Sequence, residues 1–409
     1  MAVAHLSRRR LSTTCGVGVL ALTLAACGGG SLGGDEDASG GGGAAAEGEE
    51  TVTVGLVVPQ AGVYTPLGED MRQGWELYLE QNDGMLGCYT VETEVADEGE
   101  SPDTGVPAVQ RLLTEGNVDA LVGVVSSAVA LGVADPVTEA QVPLIIANAG
   151  AEDITKGAAS DYVWRTSFTN AQIAAAMGEH LAAEGIGPVY VMAPDYAAGQ
   201  EAVEGFTTAY EEGGGTIAGQ ALTPFGSTQD FQPFLSGVES SGAEAVFVFY
   251  AGGEAVSFVQ QYADFGLKDS IPLYGSGFLT EGSVLDAQGE AAVGVRTTLH
   301  YSTELDNEDN QAFVQAYEEA YGELPTVYAM QTYDAANVLD AALEECAGLE
   351  GETINAALGE LGTIDDSPRG PWEFNNQTPE QSVYLREVAE ADGTLLNTVV
   401  SDLGVYAQP

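Results

Sequence analysis

The chain has 409 residues, 45% of them hydrophobic, and carries 62 acidic side chains against 11 basic ones, for a formal charge of -51. Neutralising phosphates needs clustered Lys and Arg, so this balance argues against nucleic-acid binding; it reads as a soluble, self-repelling surface. Roughly 360 residues belong to a folded part, more than one compact core holds, so two domains are expected.

The first element in chain order is a leader. Arg8, Arg9 and Arg10 form a basic start, and Leu11 to Ala26 is mostly apolar and small. The run is shorter than the roughly 20 residues of a membrane span and has the layout of a secretory signal. Its end, Leu24-Ala25-Ala26-Cys27, resembles the bacterial lipobox, which implies cleavage before Cys27 and lipid on that residue. An ordinary signal peptide with a chance cysteine is the bland alternative. Ser7-Arg8-Arg9-Arg10-Leu11 also resembles a twin-arginine export signal, with the Sec route as the other choice. Residues 28–50 are nearly all Gly, Ala, Ser, Asp and Glu, and so read as a flexible tether. The signal takes three cations with it. Arg72, Arg111, Lys156, Arg165, Lys268, Arg296, Arg369 and Arg386 remain.

From residue 51 strands and helices alternate. Thr51–Val58 reads as a strand, Glu69–Gln81 as a helix, Tyr89–Ala96 as a strand and Val106–Thr114 as a helix. Val118–Val125 is a nearly continuous apolar run, as a central parallel strand covered on both faces requires. Ala128–Ala140 follows as a helix and Pro143–Ala147 as a buried strand. After an extended Tyr162–Thr166 the rhythm restarts. The predicted helices are Asn170–Glu184, Glu201–Glu212, Phe231–Ser240 and Glu254–Phe265. The strands among them are Val189–Met192, Thr216–Leu222, Ala245–Tyr250 and Ile271–Tyr274. Such alternation predicts an α/β fold of two doubly wound parallel-sheet lobes. Val293–Tyr301 reads as a crossing strand, Asn310–Tyr321 and Tyr328–Cys346 as helices, and Trp372–Phe374 and Val383–Val388 as strands. The expected division is 51–166 plus 293–362 for lobe 1 and 167–292 plus 363–409 for lobe 2. This returns Cys346 to the lobe that holds Cys88, making the two a candidate disulfide in an exported protein.

The residues offer little for catalysis. His5, His180 and His300 are scattered, and neither a Cys-x-x-Cys, a His-Glu-x-x-His nor a complete P-loop occurs. Gly275-Ser276-Gly277 lacks the spacing of a nucleophile elbow. Asp306-Asn307-Glu308-Asp309-Asn310 lacks the glycine and closing glutamate of a calcium loop and reads as a helix start. No metal, cofactor or enzymatic activity is expected.

An exported two-lobed chain without a catalytic set reads as a binder, and its residues are familiar. Tyr162-Val163-Trp164-Arg165-Thr166-Ser167, Val142-Pro143-Leu144-Ile145-Ile146, Gly294-Val295 and Tyr333-Asp334-Ala335-Ala336 stand in the order and spacing of one family. The chain resembles type I periplasmic solute-binding proteins of ABC importers, in the branched-chain amino acid group, over essentially all of residues 51–409. The resemblance implies two lobes joined by three crossings, near Ser167, near 274–293 and near 365, that close on a small solute bearing a carboxylate. It implies a monomer held at the outer face of the cytoplasmic membrane by its lipid, delivering solute to an ABC permease. A sensor acting through a partner protein, or a hydrolase on the same framework, are the alternatives.

The resemblance also implies ligand-contacting positions: Tyr64 and Thr65 after the first strand, then Ser126 and Ser127, then Asn148, Ala149 and Gly150. From the second lobe come Tyr196, Ala198, Tyr250, Ala251, Gly252, Gly277 and Phe278, with Tyr328 against the solute's side chain. At Ser126 physics agrees, because a helix start offers free N–H groups and a favourable dipole to a carboxylate; a plain Ser N-cap is the structural alternative. The amino acid binders hold the α-ammonium with an acidic side chain near the position of Phe278, whereas the nearest acid here is Glu281. The expected solute is therefore a branched-chain amino acid or a related amine-free aromatic or aliphatic acid, with Phe278 as an apolar wall.

Overall fold

The computed structural model describes residues 50–408 apart from Val63, Glu100, 157–159 and Asp392. The leader, Cys27 and the tether lie outside the described residues.

In the first lobe the chain runs β1 (Thr51–Val58), α1 (Thr65–Gln81), β2 (Met85–Leu86), β3 (Tyr89–Asp97), α2 (Pro102–Arg111), β4 (Ala120–Gly123), α3 (Ser127–Ala140), β5 (Leu144–Ile146) and β6 (Val163–Arg165). The second lobe has α4 (Asn170–Ala183), β7 (Val189–Pro194), α5 (Ala197–Glu212), β8 (Ile217–Thr223), α6 (Gln232–Ser241), β9 (Ala245–Val248), α7 (Gly252–Asp264), β10 (Leu273–Ser276), α8 (Ser283–Gln288) and β11 (Arg296–Leu299). Then come α9 (Glu308–Tyr321), α10 (Val327–Leu343) and α11 (Gly351–Glu360), followed by β12 (Glu373–Asn375), β13 (Thr378–Ala391) and β14 (Thr394–Tyr406).

The first sheet has the order β2-β3-β1-β4-β5-β6 and is parallel except at the β2–β3 pair. The second has the order β12-β13-β11-β10-β9-β7-β8, with β14 beside β13. It is parallel from β11 to β8 and antiparallel where β11, β12 and β14 meet β13. The expected α/β architecture of two parallel-sheet lobes is thus the observed one, with an antiparallel C-terminal margin added. Every residue of β4, β5, β7 and β9 is buried, which is why these strands are apolar throughout.

Residues 293–362 were expected together in lobe 1, but β11 pairs with β10 through Tyr274 and Arg296 and with β13 through Arg296 and Glu387. Thr297, Thr298 and Leu299 are fully buried, so this strand needs neighbours on both edges, and it finds them in the second sheet. The second crossing therefore falls at 300–307 rather than at 274–293. Helix α10 then packs on α1, where the Tyr78 hydroxyl donates to Asp340 Oδ2 at 2.6 Å. That return brings Cys346 to Cys88, and the two are joined by a disulfide with a Cα–Cα distance of 5.9 Å.

A buried network ties the crossings together. Arg369 Nε donates to Asp334 Oδ2 at 2.7 Å, Nη1 to Gln381 Oε1 at 2.5 Å and Nη2 to the Thr166 carbonyl at 2.5 Å. One guanidinium on the third crossing thereby holds the first crossing, α10 of one lobe and β13 of the other. No helix among the described residues is long and apolar enough to cross a membrane.

Candidate functional site

In open parallel sheets the loops at the carboxyl ends of the strands form the binding crevice. The site follows this rule from both lobes at once. A cavity of about 220 Å³ is lined by Tyr64, Leu67, Val125, Ser126, Ser127, Ala128, Asn148, Gly150, Phe168, Asn170, Tyr196, Ala197, Ala198, Phe225, Phe249, Ala251, Phe278 and Tyr328. The volume is below the roughly 300–1,000 Å³ of drug-sized pockets and suits a solute of one ring or one amino acid.

Its walls are aromatic. The rings of Phe168 and Phe278 lie 4.6 Å apart, and Phe278 stands 6.3 Å from both Phe249 and Tyr328. Tyr196 stacks on the half-exposed Phe225 at 4.1 Å and hydrogen-bonds through its hydroxyl to Tyr64 of the other lobe. Burial holds the Tyr196 and Tyr328 hydroxyls far above the ordinary phenol range, so both stay neutral donors.

Its floor is polar but uncharged. Ser126 caps α3, its Oγ accepting from Val129 N at 3.5 Å, and Ser127 Oγ accepts from Ala151 N at 3.1 Å. Both hydroxyls keep a proton to donate. The N–H groups of Ser127 and Ala128 have no carbonyl four residues back within the helix. Helices α5 and α7 also start here, with no side-chain cap at Tyr196 or Ala251. Three helix starts thus meet a cavity that, among the described residues, no charged side chain lines, an arrangement that favours an anion.

Ten of the fifteen expected contact positions are in this lining: Tyr64, Ser126, Ser127, Asn148, Gly150, Tyr196, Ala198, Ala251, Phe278 and Tyr328. The other five are not. Thr65 is exposed and donates its hydroxyl to the Gly62 carbonyl at 2.8 Å. Ala149 turns its carbonyl to Ser167 Oγ at 3.3 Å. Tyr250 packs away from the cavity against Phe231 and Phe258, because successive side chains on an extended strand face opposite ways and Phe249 takes the cavity side. Gly252 is the first residue of α7 at φ 56°, with no side chain to present. The Gly277 carbonyl accepts from Arg386 Nη2 at 3.2 Å, and a Cβ there would meet Leu299 Cβ at 2.6 Å.

Glu281 is also elsewhere. Its Oε2 accepts from Arg386 Nη1 at 3.0 Å and its Oε1 from Val327 N at 2.9 Å. Both side chains are buried, so the carboxylate is committed to this pair and to the start of α10.

Sequence reasoning missed Leu67, Val125, Ala128, Phe168, Asn170, Ala197, Phe225 and Phe249 in the lining, and the residues that brace it. Arg165 is fully buried behind the wall, where Nη1 donates to the Phe168 carbonyl at 2.9 Å and Nη2 to the Ala151 carbonyl at 3.0 Å. Burial lowers its pKa to about 10. Asn148 Nδ2 donates to Gln331 Oε1 at 2.9 Å, and Gln331 Nε2 lies 3.0 Å from His300 Nε2, so the cavity wall is connected to the second crossing. Burial, with Arg369 and Arg386 nearby, keeps His300 neutral. Among the described residues, no group of three or more His, Cys, Asp or Glu could hold a metal ion.

A family model described as a periplasmic binding protein matches residues 51–394. The chain is 31% identical over 371 residues to Leu/Ile/Val-binding protein homolog 6 of Brucella melitensis, covering 88% of this chain and 93% of that protein. Among solved structures, a solute-binding protein of an ABC transporter from R. palustris, in complex with benzoate, is 35% identical with a TM-score of 0.81, over 87% of this chain and 97% of that one. Another from Rhodopseudomonas palustris BisB5, in complex with 3,4-dihydroxybenzoic acid, is 31% identical with a TM-score of 0.83, over 88% and 99%. With its two parallel-sheet lobes meeting at a shared cavity, this chain belongs to the type I periplasmic binding proteins, in the branched-chain amino acid-binding group.

Proposed function

We propose that this protein is an extracytoplasmic receptor that captures a small aromatic carboxylate between its lobes and delivers it to an ABC permease. The observation that carries the solute class is the cavity lining: seven aromatic rings, three helix starts and, among the described residues, no acidic side chain. An α-ammonium buried there would have no counter-charge, and burying an unpaired charge is costly. Glu281, the acid nearest in sequence, is held by Arg386. The benzoate and dihydroxybenzoate complexes of the relatives support the same class. The solute carboxylate meets the start of α3 with Ser126 and Ser127, and its ring lies against Phe278, Phe168 and Tyr328. Contacts from both lobes shift the open–closed equilibrium toward the closed form. Cys27 carries a lipid anchor, and the tether holds the monomeric body near the permease.

Calorimetry on the body without its leader tests the reading, with benzoate, 4-hydroxybenzoate and leucine as ligands. An aromatic acid should bind and raise the melting temperature, while leucine should do neither. Binding of leucine in preference to every aromatic acid would overturn it.

A further inference from the structure

Glu98 is a carboxylate that the site's chemistry leaves unused, yet it stands directly behind the floor. It is fully buried just past the end of β3, and its two oxygens accept from the backbone N–H groups of Val125, at 2.6 Å, and Ser126, at 2.9 Å. Both residues line the cavity. The turn it holds is an unfavourable one, since Val124 has φ 68°, a region that a β-branched residue rarely enters. Glu98 thus holds a strained turn through the two N–H groups that immediately precede the free ones of Ser127 and Ala128.

We infer that Glu98 is a positioning residue for the α3 start and that, wherever it is still ionised, it takes up a proton when an anionic solute occupies the cavity. The inference rests on the reading that the solute carboxylate sits at Ser126 and Ser127. Two carboxylates on either side of one turn repel each other in a medium that screens poorly, and a proton from bulk water on Glu98 removes the repulsion. The products are the bound solute anion and a neutral Glu98 carboxyl group. Burial already pushes Glu98 up to about 8, against the opposing effect of the two N–H donors, so the uptake shows at mildly alkaline pH, where part of the ligand-free protein is still ionised at Glu98.

Among the described residues, the surroundings offer no competing cation. Asp97, the last residue of β3, raises Glu98 further, and its Oδ1 is occupied by Gln60 N and Gly99 N. Strand β1, whose Val58 carbonyl accepts from Glu98 N, carries no charged residue. Helix α2 brings the exposed Asp103 at its start and Arg111 only at its far end, and the first charged residue of α3 is Asp135.

The test is calorimetry with benzoate at pH 8, in two buffers of unlike ionisation enthalpy. With Glu98 about half protonated at that pH, the native protein should absorb up to about half a proton per benzoate. Its affinity should fall by up to about tenfold per pH unit above the Glu98 transition. Glu98→Gln should show neither effect, whereas Asp70→Asn, at another raised carboxyl group, should keep both. Infrared difference spectra of the native protein give a check that does not depend on a variant folding: benzoate should bring up the band of a protonated carboxyl group. Benzoate binding without proton uptake, or with equal uptake in Glu98→Gln, overturns the inference and leaves the solute reading intact. Failure of benzoate to bind the native protein overturns both.

Discussion

Glu281 and Arg386 form a buried ion pair, with Oε2 and Nη1 3.0 Å apart, and it removes from the cavity the acid best placed in sequence to hold an ammonium. Breaking a buried pair by removing one partner strands the other charge, at a cost of about 3–5 kcal/mol. Glu281→Gln should therefore lower unfolding stability by about that much in urea titrations, without changing the ranking of aromatic acids over leucine. A variant that kept full stability but gained no other defect than lost binding would mean that Glu281 touches the solute instead.

Phe278 touches three of the other aromatic walls and is 4% exposed. A buried phenylalanine contributes about 1.5–3 kcal/mol through its apolar surface, and each 1.4 kcal/mol is about tenfold in affinity. Phe278→Ala should weaken benzoate about 10- to 100-fold in calorimetry. Unchanged affinity for every ligand would remove Phe278 from the site.

The Cys88–Cys346 bridge spans 258 residues of sequence and fastens the end of α10 to the β2–β3 hairpin. Closing so long a loop restricts the unfolded chain, an effect typically of about 2–4 kcal/mol. Paired Cys88→Ser and Cys346→Ser substitutions should lower the denaturation midpoint accordingly. Mass spectrometry of unreduced exported protein should find no free thiol at either position.

Stability should fall as pH rises. Burial raises Asp70 from 3.8 to about 7 and Glu98 from 4.5 to about 8. The folded state therefore holds these protons more tightly than the unfolded one. The stabilisation is complete below the unfolded pKa values and is lost as pH climbs through the folded ones. Melting temperatures of the ligand-free protein should drop between about pH 5 and 9, and Asp70→Asn with Glu98→Gln should flatten that slope. A rise over the same interval would contradict the burial of both groups.

Much of the framework was legible because burial on both faces forces a strand to be apolar throughout. The runs 118–125 and 245–250 announced β4 and β9 for that reason. Strand β14 escaped notice because it pairs only with β13 and leaves Val400 and Val405 exposed, so its residues obey no burial pattern. Helix α11 escaped because only Ile354 and Leu358 are buried along it. The exchange of Tyr250 for Phe249 is a one-residue error at a strand end, where the period of two reverses every side chain.

The alternation of strands and helices and the poverty of cations depend on local pattern and composition and could be read along the chain, and the resemblance to a family added the cleft loops. Which lobe β11 joins, which acid is neutralised by Arg386 and which carboxylate lies under the α3 start were decided only by tertiary structure. Glu98 is one of 62 acidic residues and nothing in its neighbours distinguishes it. Its environment is made by Val125 and Ser126, 27 and 28 residues away along the chain. Burial and hydrogen bonding act between residues that only the fold brings together, and they decide the charge, donors and shape that a solute meets.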